Sequence, residues 1–180
     1  AGSISFSAAT YAAPESAPHV LLTIKRTGGA AADVSFDFAT EDLTAVSPDD
    51  YLGTNFTILL ASNELSRTID IPIQSDRLPE GNEVFRATLR NPSPGARLGP
   101  ITNALVTIQD DEVSLQFSAA AITNRENSSQ VVLTVERTGP LNTRASVDVT
   151  TVAGSATAGL DFAPTNFTLQ FPLGARQKKV

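Results

Sequence analysis

The chain has 180 residues, 41% of them apolar and 18% charged, enough for one large or two small domains with cores of their own and too apolar for a disordered polymer. It contains no Cys, which excludes disulfides, thiolate zinc sites and cysteine nucleophiles, and no apolar run approaches the length that crosses a bilayer. A net charge of −6 opposes a nucleic-acid backbone as partner.

The chain opens on Ala1 without a signal-peptide pattern and contains no Met, so a processed protein or an excised fragment is expected. Its apolar residues recur with period two, the signature of half-buried strands. Val20, Leu22 and Ile24 alternate with Leu21, Thr23 and Lys25. Val34, Phe36 and Phe38 follow, then Ile69, Ile71 and Ile73, then Phe85, Ala87 and Leu89, and finally Ala104, Val106 and Ile108. Pro72 has no N–H to give to a ladder, which places its strand at a sheet edge or a bulge. Turn chemistry separates the runs at Gly28-Gly29, Ser47-Pro48-Asp49-Asp50, Pro92-Ser93-Pro94-Gly95 and Gly99-Pro100. No stretch longer than two turns keeps a helical period. About seven short strands per repeat predict an all-β, immunoglobulin-like antiparallel sandwich.

The repeat is explicit. Ile4-Ser5-Phe6-Ser7-Ala8-Ala9 returns as Leu115-Gln116-Phe117-Ser118-Ala119-Ala120, Arg26-Thr27-Gly28 as Arg137-Thr138-Gly139, and Thr54-Asn55-Phe56-Thr57 as Thr165-Asn166-Phe167-Thr168. The shift is 111 positions each time, which predicts one complete domain over 1–112 and a second over 113–180. Val180 is the counterpart of Ile69, so the second copy stops within an expected strand. The rest of that sandwich is expected from further sequence, or from a neighbouring chain by strand complementation. No flexible linker separates Ile108-Gln109-Asp110-Asp111-Glu112 from Val113-Ser114-Leu115, and an end-to-end stack is expected.

Charge is distributed unevenly. Residues 1–112 carry 15 acids and 7 bases, whereas residues 113–180 carry 4 acids and 6 bases. Six places in the first copy put acids in expected loops or at strand ends: Glu15, Glu41-Asp42, Asp49-Asp50, Asp76, Glu80 and Asp110-Asp111-Glu112. Alternate loops of a sandwich converge on one end, which would gather Glu15, Asp42, Asp76, Glu80, Asp110, Asp111 and Glu112 at a single pole. Carboxylates so close together raise one another's pKa and call for a counter-charge. Calcium, which accepts roughly six to eight oxygens in irregular geometry, suits them better than magnesium; zinc and copper would want His or Cys, of which only His19 is present. The second copy acts as an internal control, with Ala153 in place of Asp42 and Val152 in place of Glu41.

At these residues the chain resembles the Calx-beta family, named for the regulatory calcium-binding domains of sodium–calcium exchangers. The matching stretches include Tyr11-Ala12-Ala13-Pro14-Glu15, Lys25-Arg26-Thr27-Gly28-Gly29, Phe38-Ala39-Thr40-Glu41-Asp42-Leu43-Thr44-Ala45, Asp50-Tyr51, Asp76 to Phe85, and Thr107-Ile108-Gln109-Asp110-Asp111-Glu112. The resemblance implies a seven-stranded sandwich holding calcium at one end, with Glu15, Asp42, Asp76, Glu80, Asp110, Asp111 and Glu112 as ligands. Leu43 stands where the family has Gly. Ser75 and Arg77 flank Asp76 where calcium-rich members have acids, so one or two ions are expected. In the second copy Glu126 matches Glu15, but Ala153 removes a ligand and poor binding is expected.

The expected role is a calcium-stiffened module of a larger extracellular or cell-surface adhesion protein, with the ion at the junction between repeats and adjacent repeats as partners. The alternatives are an intracellular, cytoplasmic calcium sensor and a metal-free spacer or interaction sandwich. Catalysis is not expected: no phosphate loop, nucleophile elbow or metal-hydrolase motif occurs.

Overall fold

The computed structural model describes residues 2–180 and divides into two compact units, Ala1–Asp111 and Glu112–Val180. No helix occurs among the described residues, and none is therefore long and apolar enough to cross a membrane.

Among the described residues the first unit holds nine strands: β1 (Gly2–Phe6), β2 (Thr10–Pro14), β3 (His19–Thr27), β4 (Val34–Asp42), β5 (Asn55–Leu60), β6 (Ser66–Pro72), β7 (Glu83–Arg90), β8 (Ala96–Leu98) and β9 (Asn103–Gln109). They form a four-stranded sheet, β6-β3-β1-β8, and a five-stranded sheet, β2-β9-β7-β4-β5. The count exceeds the expected seven for two reasons. The first strand is shared between sheets, β1 pairing antiparallel with β3 while β2 runs parallel to β9, and β8 is a short addition parallel to β1. Pro72 closes β6 at the edge of its sheet, where its missing N–H costs no ladder bond.

Period-two alternation decides which side chains face inward. Ile4 and Phe6, Val20, Leu22 and Ile24, and Ile69 and Ile71 line the inner face of the first sheet. Val34, Phe36, Phe38, Ile58, Leu60, Phe85, Ala87, Leu89, Ala104, Val106 and Ile108 line that of the second. All are buried, and each large side chain removed from water contributes about 1.5–3 kcal/mol.

The second unit contains β10 (Ser114–Phe117), β11 (Thr134–Thr138), β12 (Ala145–Thr150), β13 (Asn166–Phe171) and β14 (Gln177–Lys179). β10-β11-β14 form one sheet and β12-β13 another, around a small core of Val135, Val149, Leu169 and Phe171.

The repeated Arg-Thr-Gly has a structural role in both units. Arg26 is 2% exposed; its guanidinium donates to the carbonyls of Gly29 (3.1 Å), Ala61 (3.2 Å) and Ala32. Arg137 is 3% exposed and donates to the Thr143 carbonyl and hydroxyl, both at 2.9 Å, and to the Pro140 carbonyl. Each arginine thus pins the turn that follows its strand. In the second unit Gly139 has φ +85°, and a Cβ there would lie 2.0 Å from the Glu112 carbonyl oxygen, so only glycine fits.

Candidate metal centre

The site is built from four places in the first unit: the end of β2, the β4–β5 loop, the β6–β7 loop and the end of β9. Main-chain bonds tie these segments together. Gln74 N–H donates to the Asp50 carbonyl at 2.9 Å, Leu52 N–H to Pro72 at 3.0 Å, and Glu15 N–H to Gln109 at 2.8 Å. Val84 N–H reaches the Thr44 hydroxyl at 2.7 Å, while the Thr44 and Ala45 amides both return to the Val84 carbonyl.

On this frame Glu15, only 9% exposed, accepts the Asp76 N–H at 2.8 Å through Oε1. Asp76 in turn accepts the Leu78 N–H at 2.6 Å, a local turn that shapes the β6–β7 loop. Asp110 accepts the Gly81 N–H at 3.1 Å, and its own N–H donates to the Asn82 side-chain oxygen at 3.2 Å. Glu15 and Asp111 bring carboxylate oxygens within 4.8 Å of each other. Glu112 is the next residue and opens the second unit. Glu15, Glu80 and Asp110 share a cleft with Asp50 and Glu83, floored by Ile108.

Asp50, Glu80 and Glu83 form a close acidic group, with one oxygen from each lying within 4.8 Å of the others. Partial burial, then the hydrogen bond shared with Asp50, and the charges of Asp50, Glu80 and Glu15 push the Glu83 carboxyl up to about 7. Desolvation and the charges of Asp76, Asp50, Glu15 and Asp110 raise Glu80 as well. The crowding of carboxylates around Glu80 and Glu83 disfavours their ionised forms, and a bound cation would relieve it. The donors are hard oxygens, with the Gln74 amide beside them and no His or Cys, and they fit calcium.

Asp42 belongs to neither close carboxylate group found among the described residues. Its Oδ1 accepts the Tyr51 hydroxyl at 2.5 Å and the Ser47 N–H at 3.2 Å. Burial, then the hydrogen bond to Asp42, holds the Tyr51 hydroxyl well above its usual range. Glu41 pairs across the strands with Arg86 at 3.1 Å. The single histidine, His19, meets Asp70 at 2.8 Å on the surface.

Asp50 and Glu83 lie outside the seven expected ligands, although Asp50 stood among the loop acids and Glu83 within a matching stretch. A signal for Glu83 was present. It shares parity with Phe85, Ala87 and Leu89, so the inward face of β7 begins with a carboxylate.

Residues 1–112 and 109–180 each match the Calx-beta domain family. The chain is 36% identical over 129 residues, 69% of its length, to zebrafish (Danio rerio) adhesion G-protein coupled receptor V1, and covers 2% of that protein. It is 29% identical over 162 residues to extracellular matrix protein 3 of the sea urchin Lytechinus variegatus, covering 84% of this chain and 5% of that one. With sodium/calcium exchanger 1 of the cat (Felis catus) it shares 31% identity over 189 aligned positions, 93% of this chain and 20% of the exchanger. The chain therefore spans a small part of these relatives. Among solved structures, the apo form of the Calx CBD1 domain superposes with a TM-score of 0.59 at 26% identity, covering 61% of this chain and 96% of that one. The tandem CBD12 of CALX1.2 gives 0.64 at 23% identity, covering 98% and 74%, a likeness of fold. Two repeats at a fixed spacing, a sandwich with acids gathered at one pole and a family match to both repeats agree: this chain is a tandem of Calx-beta domains.

Proposed function

We propose that the first unit binds one or two calcium ions at the pole where Asp50, Glu80 and Glu83 converge, and that the chain is a calcium-stiffened module of a larger extracellular or cell-surface protein. The observation that carries this reading is the close approach of three carboxylates from two loops and a strand start, in a cleft shared with Glu15 and Asp110. Glu15, Asp50, Glu80, Glu83, Asp110 and Asp111 supply oxygens, with Asp76 at the rim; Glu112 is the further ligand that the family pattern implies. Calcium neutralises the pole and holds the end of β9 to the β6–β7 loop, so the last residues of the first unit are fixed where the chain passes on to the next repeat. Relatives among adhesion receptors and extracellular matrix proteins support the location.

A second reading is a regulatory calcium-sensing domain in the cytoplasm, favoured by the alignment with the exchanger over 93% of this chain. No catalytic role is proposed.

The test is a thermal melt in excess EDTA and in millimolar calcium. At a calcium concentration one hundred times Kd, the first unit gains about 2.7 kcal/mol and its midpoint rises. The double substitution Asp110→Ala/Asp111→Ala abolishes the rise. A wild-type midpoint indifferent to calcium would rule out the metal site.

A further inference from the structure

The expected ligand Asp42 has a different environment from the other acids. It is the last residue of β4, and its Oδ1 takes the Tyr51 hydroxyl at 2.5 Å together with the Ser47 N–H. Tyr51 is 1% exposed, and its ring stacks on Phe85 with centroids 4.0 Å apart and planes 7° from parallel. Tyr51 directly follows Asp50, and Phe85 lies two residues after Glu83. The stacked rings therefore join the two segments whose carboxylates must meet.

The second repeat supplies an independent observation. At the 111-residue shift Asp42 becomes Ala153 and Tyr51 becomes Phe162, so both partners of the hydrogen bond are lost together. Asp50 is retained as Asp161. Asp161 accepts the Thr157 N–H at 2.7 Å, just as Asp50 accepts the Val46 N–H at 2.6 Å, four residues back in each case. The turn itself thus forms without the Asp42–Tyr51 pair. That pair occurs only in the repeat where the acids are gathered.

We infer that Asp42 is a positioning residue: by accepting the Tyr51 hydroxyl it locks the ring against Phe85 and so sets the spacing of Asp50 and Glu83 for the ion. The inference rests on the calcium reading above and assigns Asp42 a place behind the ligands. Its chemistry makes a distinctive demand. Asp42 needs an oxygen acceptor at Oδ1 and no negative charge, so asparagine can replace it, whereas a direct calcium ligand loses much of its attraction when the charge is removed.

Calorimetric titration of the full chain with calcium alone tests this, using wild type, D42A, D42N, Y51F and D42A/Y51F. D42A and Y51F each weaken binding by about 10- to 100-fold, as loss of an outer-shell partner does, without changing the number of ions bound. The double variant is no weaker than the worse single one, because both remove the same hydrogen bond. D42N stays close to wild type. Equal damage from D42N and D42A with Y51F unaffected would make Asp42 a ligand and overturn the inference, as would additive losses in the double variant. Should Y51F fail to fold in a calcium-free melt, the D42N and D42A comparison decides alone. Wild type that binds no calcium sinks the calcium reading, and the inference goes with it; wild type that binds normally alongside a damaged D42N sinks the inference only.

Discussion

Glu83 shows how one residue can couple the fold to both protons and metal. Its inward register at the mouth of β7 costs solvation, and Asp50 and Glu80 stand beside it, so its carboxyl titrates near 7 instead of its ordinary 4.5. A group raised in the folded state contributes stability that is fully present below the unfolded value and is lost as pH rises through the folded one. The calcium-free chain should therefore lose stability as pH rises from 4.5 through about 7, read as a falling urea midpoint of the first unit in EDTA. Glu83→Gln should flatten that dependence. Calcium requires the ionised form, so binding near pH 6.5 releases a proton, which calorimetry in buffers of different ionisation enthalpy detects. A dependence unchanged by Glu83→Gln would show that another group controls the pH response.

At the scale of elements, the buried arginines explain why Arg-Thr-Gly is among the best-kept stretches of the repeat. Arg26 satisfies carbonyls from both the β3–β4 turn and the β5–β6 connection, at Ala61. Arg26→Ala leaves those carbonyls without their donor and a cavity behind them, and is expected to cost about 3 kcal/mol in chemical denaturation. Arg67→Ala is the contrast. Arg67 binds Glu64 at 2.7 Å in a partly exposed pair, and its loss should cost about 0.5 kcal/mol. Equal effects from the two substitutions would mean that burial of the first guanidinium contributes nothing. Strand formation is equally dependent on partners. Residues 121–125 match β2 at the 111-residue shift yet form no strand. β2 takes its ladder bonds from β9, and no strand pairs with 121–125 among the described residues. β11 pairs antiparallel with β14 from Thr134–Lys179 onward, and Leu133 and Val180 exchange main-chain hydrogen bonds at 2.8 and 2.9 Å just before it.

For the whole molecule, the two units differ in core and in charge. Among the described residues the first buries 22 apolar side chains in one cluster and the second four. Scanning calorimetry should resolve two transitions, and calcium should move only the upper one, because the second unit lacks the gathered acids. A single transition that shifts as a whole would show that the repeats unfold together. Sequence alone determined the repeat and its spacing, the strands, the inward faces and the acidity of the first copy, because period-two burial and a fixed shift are written into residue order. It also placed Glu15, Glu80 and Asp110 at one cleft, since loop order in a sandwich follows from strand order. Only the tertiary structure decided that Asp50 and Glu83 form a close acidic group with Glu80 and that Asp42 faces Tyr51. Those outcomes depend on how two loops are cross-bonded at Gln74, Thr44 and Val84, by contacts between residues tens of positions apart, and on which side of the Asp42–Tyr51 turn a carboxylate emerges, and no period-two pattern encodes either.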